Sequence, residues 1–227
     1  MSRPGGNAGL LSDRQVDIIA TRLAERVSGR SSTKSSARPG TMPAATAPRP
    51  TPISVHREAL GDGIFATVDD AVDAAATAFR EFDGMSLEGR RKIIASIRES
   101  MFENAEELAR LAHTETGLGR VEDKVVKNRL VTRKTSGTEV LTPQAVTGDD
   151  GLTLTEYAPY GVIGAITPTT NPTSTIICNT IAMLSAGNSI VFNVHPGARE
   201  CSMANVRLLH HAITRAGGPA NLVTAIA

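Results

Sequence analysis

Between Gly161 and Ile226 three short apolar runs alternate with two helix-length stretches, and no other feature of the chain restricts its fold as strongly. Gly161 to Thr167 (GVIGAIT) is an apolar run stopped by Pro168, the pattern of a strand buried on both faces of a parallel sheet. A helix is expected from about Ser174 to Ser185, then a turn at Ala186, Gly187 and Asn188, and a second buried strand from Ser189 to Val194. A further helix from about Ala198 to Ala216 leads through Gly217, Gly218 and Pro219 into a third strand, Leu222 to Ile226. Strands of this length separated by helices pair in parallel, because each crossover returns the chain to the same end of the sheet.

Upstream, the periodicity is helical. Thr67 and Asp70 form a capping box, followed by Val68, Ala71, Val72, Ala75, Phe79 and Phe82 on one stripe through Phe82. A long helix is expected from Leu87 to Thr116, with Ile93, Ile94, Ile97, Met101, Leu108 and Leu111 inward and Gly117 as its left-handed terminator. Arg120 to Val140 is also expected to be helical, with Val125, Leu130 and Val131 inward and its many charges in solvent. The alternation at Leu152, Leu154 and Glu156 reads as an exposed or half-buried strand. The whole is an α/β arrangement of Rossmann type, preceded by helices.

The N-terminal residues have a different character. Ser12 to Val27 places Val16, Ile19, Leu23 and Val27 at helical spacing behind a Ser-Asp cap. From Ser28 to about Pro52 the chain is Ser, Pro, Thr and Ala with almost no large apolar side chain, so it cannot offset its own conformational entropy by burial. A short amphipathic helix on a flexible linker either docks on another surface or folds back on its own domain. The expected division is 1–28 docking helix, 29–64 linker and 65–227 ordered domain.

Composition narrows the function. A net charge of +1, aromatic content of 3% and no Trp argue against nucleic-acid binding, which needs basic and stacking surfaces. No apolar run approaches the roughly 20 residues of a membrane span, and there is no secretory leader pattern. Cys178 and Cys201 lack metal-ligand or redox spacing, so no metal site is expected and a reducing, cytoplasmic setting fits. Both sit among apolar helix residues, as buried small side chains do.

In open parallel sheets ligands bind beyond the carboxyl ends of the strands. Those ends carry Thr167, Thr169, Thr170 and Asn171, with a helix N-terminus behind them, and His195 and Arg199. Neither the Gly-rich dinucleotide fingerprint nor a phosphate-loop Lys occurs there. From the residues alone, Asn171 is either a turn residue bonding its own backbone or an amide facing a ligand, and His195 either ends a strand or binds.

Three stretches then resemble one family: ETGLGRVEDKVVKN (Glu115 to Asn128), APYGVIGAITPTTNPTSTIICNTIAMLSAGNSIVFNVHP (Ala158 to Pro196) and AGGPANLV (Ala216 to Val223). They are similar to the N-terminal half of the aldehyde dehydrogenase superfamily, within it the CoA-acylating propionaldehyde and acetaldehyde dehydrogenases of bacterial microcompartments. The resemblance runs from about Phe65 to the last residue and implies an aldehyde dehydrogenase-like parallel sheet, incomplete here. It implies an oxidoreductase that uses NAD, traps the acyl group of a small aldehyde on a cysteine and passes it to coenzyme A. Asn171 matches the Pro-x-x-Asn-Pro position whose amide stabilises the tetrahedral oxyanion, an effect worth ~3–4 kcal/mol in analogous sites. Thr167, Pro168 and Thr169 would line the nicotinamide side. His195 and Pro196 stand where hydrolytic relatives carry Lys-Pro against the adenosine ribose, and His there departs from the superfamily pattern.

In the family the nucleophilic cysteine lies beyond Ala227. The resemblance therefore implies an N-terminal portion that is inactive by itself, with an unpaired sheet edge, homo-oligomeric when complete. The alternative is a catalytically dead cargo or scaffolding module that binds a shell protein or a full-length partner. Ser12 to Val27 with its linker has the layout of a peptide that docks on a microcompartment shell, which implies a location in the lumen.

Overall fold

The computed structural model describes residues 61–227, so the expected docking helix and most of the expected linker lie outside the described residues; Ile64, expected as the end of the linker, is instead buried in the first strand. A four-stranded, wholly parallel sheet runs in the order β1 (Ile64–Phe65), β6 (Val223–Ile226), β5 (Ser189–Asn193), β4 (Val162–Ile166). Helix α5 (Pro172–Ser185) connects β4 to β5, and α6 (Arg199–Arg215) connects β5 to β6. The expected βαβαβ unit is present with its boundaries shifted by one or two residues.

Side-chain alternation along the strands divides the core in two. Phe65 and Val191, with Val162 and Ile226, pack on Ala71 and Ala75 of α1 (Val68–Asp83). Ile64, Ile190, Phe192, Val223 and Ala225 face the other way, onto Ile176, Ile177 and Ile181 of α5 and Val206, Leu209 and Ile213 of α6. Outside this layer lie α2 (Leu87–Glu103), which joins the same core through Ile93, Ile97 and Met101, then α3 (Ala105–Thr116) and α4 (Val121–Lys134). Thr67 caps α1 as expected, accepting from the Asp70 N–H at 3.2 Å. Val68 and Val72, however, lie on the exposed side of α1.

Several expectations are corrected. The long helix Leu87 to Thr116 is two helices broken at Asn104, where the Ser100 carbonyl accepts from both the Asn104 backbone N–H and its side-chain Nδ2 at 2.8 Å. An Asn that binds the preceding turn competes with helix continuation. Gly117 ends α3 in the left-handed region at φ 66°, and Leu111 is exposed. The helix expected to reach Val140 stops at Lys134, followed by a single 3-10 turn at Thr138–Val140. The exposed strand β3 (Gly151–Thr155) has an antiparallel partner that the pattern did not reveal, β2 (Gln144–Gly148), and every residue of this hairpin is exposed.

The run Gly161 to Thr167 is not buried on both faces. It forms β4 at the edge of the sheet, where only Ala165 is buried and Ile166 is 82% exposed, because α1 covers its face only as far as Val162. The last strand, in contrast, is internal: β6 lies between β5 and β1. That pairing requires the chain to approach closely at Gly63, where a Cβ would lie 2.6 Å from the Val223 carbonyl oxygen.

Candidate functional site

Strands β4 and β5 are neighbours, so the loops leaving them emerge side by side. The Thr167 N–H donates to the Asn193 carbonyl at 3.2 Å, which joins the two strand ends at the mouth of the site. Thr167 is buried and its hydroxyl has no partner among the described residues. Pro168 is exposed and Thr169 half-buried. On the second loop, His195 Nδ1 accepts from the Gly197 N–H at 3.0 Å, opening the short turn Pro196–Ala198. A ring nitrogen that accepts carries no proton, so in the neutral ring Nε2 is the donor. A Cβ built on Gly197 would lie 3.4 Å from His195 Nδ1 and 3.5 Å from Thr169 Oγ1, so Thr169, His195 and Gly197 meet in one patch.

Asn171 is the N-cap residue of α5, yet its side chain makes no capping bond. Its Oδ1 accepts from Lys127 Nζ at 2.6 Å, and its Nδ2 has only Thr170 Oγ1 nearby, at 3.5 Å. The expected alternative, a turn residue bonding its own backbone, is not what the side chain does. Pro172 at the first helical position starts α5 at no hydrogen-bond cost. The amide thus stands at a helix N-terminus with its oxygen occupied and its N–H bonds nearly unspent.

Helix α4 supplies the underside of this loop. Lys124, Asn128 and Thr132 form its buried stripe, while Val126 is 66% and Leu130 54% exposed. Of the expected inward residues, Val125 and Val131 are half-buried and Val131 packs on the core, whereas Leu130 faces solvent. Lys124 Nζ donates to the Thr170 carbonyl at 3.2 Å, and burial, with a smaller contribution from Lys127, holds its ammonium below the usual lysine range. Asn128 donates to the Ala105 carbonyl at 3.1 Å and accepts from the Thr173 hydroxyl at 3.0 Å. Asn205 of α6 then donates to the Thr173 carbonyl at 3.0 Å. The start of α5 is therefore held from both α4 and α6 by directed bonds.

Glu115, near the end of α3, closes the arrangement from the other side. Its carboxylate accepts from the backbone N–H groups of Glu200 at 2.9 Å and Cys201 at 2.8 Å, capping α6 from a distant part of the chain. Burial alone would raise its pKa, but these hydrogen bonds and the helix N-terminus hold it below the ordinary 4.5. Burial and the adjacent Glu115 push the Cys201 thiol up to about 12, which leaves it protonated and without nucleophilic character. Cys178 is half-buried, two turns along α5 from Asn171. Glu115, Lys124 and Lys127 went unremarked as site residues in the sequence, although all three lie in the first resembling stretch.

Among the described residues no group of three His, Cys, Asp or Glu could hold a metal ion, and no helix is long and apolar enough to cross a membrane. Residues 61–227 match the aldehyde dehydrogenase family. The acetylating acetaldehyde dehydrogenase of Bilophila wadsworthia is 49% identical over 164 residues, covering 72% of this chain and 34% of that protein. The CoA-propanoylating propanal dehydrogenase of Salmonella typhimurium is 43% identical over 182 residues, covering 80% and 38%. This chain therefore spans little more than a third of the length of these relatives. Among solved structures, the propionaldehyde dehydrogenase of Rhodopseudomonas palustris with bound CoA is 49% identical, with a TM-score of 0.71, over 74% of this chain and 38% of that one. A propionaldehyde dehydrogenase from the fucose utilisation microcompartment of Clostridium phytofermentans is 50% identical, with a TM-score of 0.70, over 72% and 38%. An engineered glycolyl-CoA reductase with bound NADP+ is 48% identical, with a TM-score of 0.71, over 74% and 39%. With the family matched over residues 61–227 and relatives close to half identical, the chain belongs to the aldehyde dehydrogenase family.

Proposed function

We propose that this chain is the oxyanion- and cofactor-binding portion of a nicotinamide-dependent, CoA-acylating aldehyde dehydrogenase, which converts an aldehyde, CoA and NAD to an acyl-CoA and NADH. One observation carries this: the Asn171 amide stands at the end of β4 with its oxygen held by Lys127 and its N–H bonds available. An amide donor costs nothing to hold near a neutral carbonyl and strengthens as negative charge develops on the oxygen. The NADP+-bound reductase and the CoA-bound dehydrogenase, both close to half identical, support the cofactor and co-substrate.

The residues present fit a nicotinamide nucleotide. His195 offers an Nε2–H donor in a tautomer fixed by Gly197, suited to a ribose hydroxyl. The unpartnered Thr167 hydroxyl, flanked by Pro168 and Thr169, suits the nicotinamide side, and Pro196 holds the turn that presents His195. The cofactor, when bound, accepts the hydride. The acyl carrier is a thiol from outside these residues, since Cys201 is buried and protonated and Cys178 lies on α5 about 10 Å along the helix from Asn171. By itself the chain is expected to form no NADH from propionaldehyde and CoA.

A chimaera tests this directly. Residues 61–227 replace the matching part of the Salmonella propanal dehydrogenase. CoA-dependent NADH formation is expected, with Asn171→Ala lowering kcat by roughly 10²–10³. A folded chimaera whose Asn171→Ala variant turns over at the full rate would falsify the assignment.

A second, narrower proposal concerns assembly. The exposed Val146, Leu152 and Leu154 on the hairpin and Ile166 on the open edge of β4 support association with further polypeptide, either the rest of the enzyme and its copies or, in a scaffolding role, a full-length partner. The likeness to a microcompartment enzyme supports docking of Ser12–Val27 on a shell protein and a lumenal location. Residues 1–52 fused to a fluorescent protein are expected to form puncta in cells that build the compartment; diffuse signal counts against docking.

A further inference from the structure

Helix α4 touches the loop that carries Asn171 through two cations one turn apart. Lys124 fixes the loop backbone at the Thr170 carbonyl, 3.2 Å away, and Lys127 reaches the Asn171 side chain itself at 2.6 Å. An ammonium has three donors and no acceptor, so it determines which end of the carboxamide it meets: only the oxygen can face Lys127. The amide of Asn171 is thereby oriented by charge and not by packing.

The contact has two effects. It holds the carboxamide plane by a bond to its carbonyl, so the N–H bonds cannot exchange places with Oδ1. It also draws electron density toward Oδ1, which makes the N–H bonds stronger donors, because hydrogen bonds in series polarise one another. The other candidate for orienting Asn171, an N-cap bond from its side chain to the first turn of α5, is not made.

We propose that Lys127 is a positioning residue for the reaction: it sets the rotamer and amide orientation of Asn171 so that N–H, and not C=O, meets the developing oxyanion. This rests on the oxyanion role of Asn171 proposed above. Lys127 does not touch the reacting atoms. Its side chain is exposed and no core packing depends on it, so its removal leaves the fold intact.

The test uses the full chain, labelled with ¹⁵N, and follows the side-chain NH₂ resonances of Asn171, identified by their loss in Asn171→Ala. Lys127→Met is expected to shift the Asn171 Nδ2 resonance and speed rotation of its NH₂ group, while Lys127→Arg, which keeps a cation with donors only, retains the wild-type signature. The carboxamides of Asn128 and Asn205, bonded to backbone carbonyls, stay in place in both variants. Unmoved Asn171 resonances in Lys127→Met, or an equal shift in Lys127→Arg, would overturn the proposal. Full activity of Asn171→Ala in the chimaera would instead sink the oxyanion reading, so the two failures are told apart.

Discussion

Helix α6 buries Val206, Leu209 and Ile213 and keeps its charged side chains in solvent, whereas α4 buries Lys124, Asn128 and Thr132 and leaves Val126 and Leu130 in water. Both reach the same corner of the molecule, the start of α5. The first is held mainly by area removed from water, which is non-directional and tolerant of small shifts, beside the one bond Asn205 makes to the Thr173 carbonyl. The second is held by bonds to named atoms: the Thr170 carbonyl, the Ala105 carbonyl and the Thr173 hydroxyl. Those bonds have optimal lengths and angles, so α4 transmits position while α6 supplies stability. A helix that must orient a loop gains more from polar contacts than from a larger apolar stripe.

The contrast can be broken most forcefully on the α6 side. Leu209→Ala, at a fully buried site, is expected to destabilise the chain by ~2–5 kcal/mol, read as a lowered urea midpoint with little change in slope. On the α4 side, Asn128→Ala leaves the Ala105 carbonyl and the Thr173 hydroxyl without their partner, at a cost of ~1–3 kcal/mol. If Asn128→Ala proves as costly as Leu209→Ala, α4 is as much a stability element as α6 and the distinction fails.

Glu115→Gln tests the tie between α3 and α6, with an expected loss of about 1 kcal/mol in chemical denaturation at neutral pH. The folded-state pKa of Glu115 is lowered, so its stabilisation is fully present above the ordinary 4.5 and disappears as pH falls through the folded value. The wild-type chain should therefore lose stability below pH 4.5 more steeply than the Gln variant, and parallel profiles would refute the cap. The smallest effect belongs to Leu130→Gln, within ~0.5 kcal/mol, since this side chain is already in water. A large loss there would mean that the apolar side of α4 is covered in solution.

Much of the fold was legible in the apolar pattern. Ser189 to Phe192 and Val194 are buried as the apolar run indicates, and Thr67 and Gly117 terminate their helices as their chemistry requires. Edge position was not legible: Val162, Ile163 and Ile166 look like core, because an apolar run does not encode how far a helix on another part of the chain extends over it. The two-residue β1 is too short to carry a period. The buried polar stripe of α4 escaped because apolar periodicity assumes that polar groups seek water, and here Lys124 and Asn128 find partners far along the chain while Thr132 bonds back to the Asn128 carbonyl one turn earlier. That Thr169, Asn171 and His195 lie on the loops after β4 and β5 was legible from the alternation of strands and helices. Their supports, Lys124, Lys127 and Glu115, were not, because charges on a helix are solvated more often than engaged.

The short strand β1 also imposes an order on synthesis. Ile64 pairs with Ala225, and the Ala225 N–H donates to the Gly63 carbonyl at 2.9 Å, so the first strand of the described segment is completed by the last. At ~5–20 residues per second a ribosome needs on the order of ten seconds to add the intervening chain. For that interval Ile64 and Phe65 have no strand to pair with. The sheet can close only after β6 has cleared the exit tunnel, so β1 waits through the synthesis of everything between them.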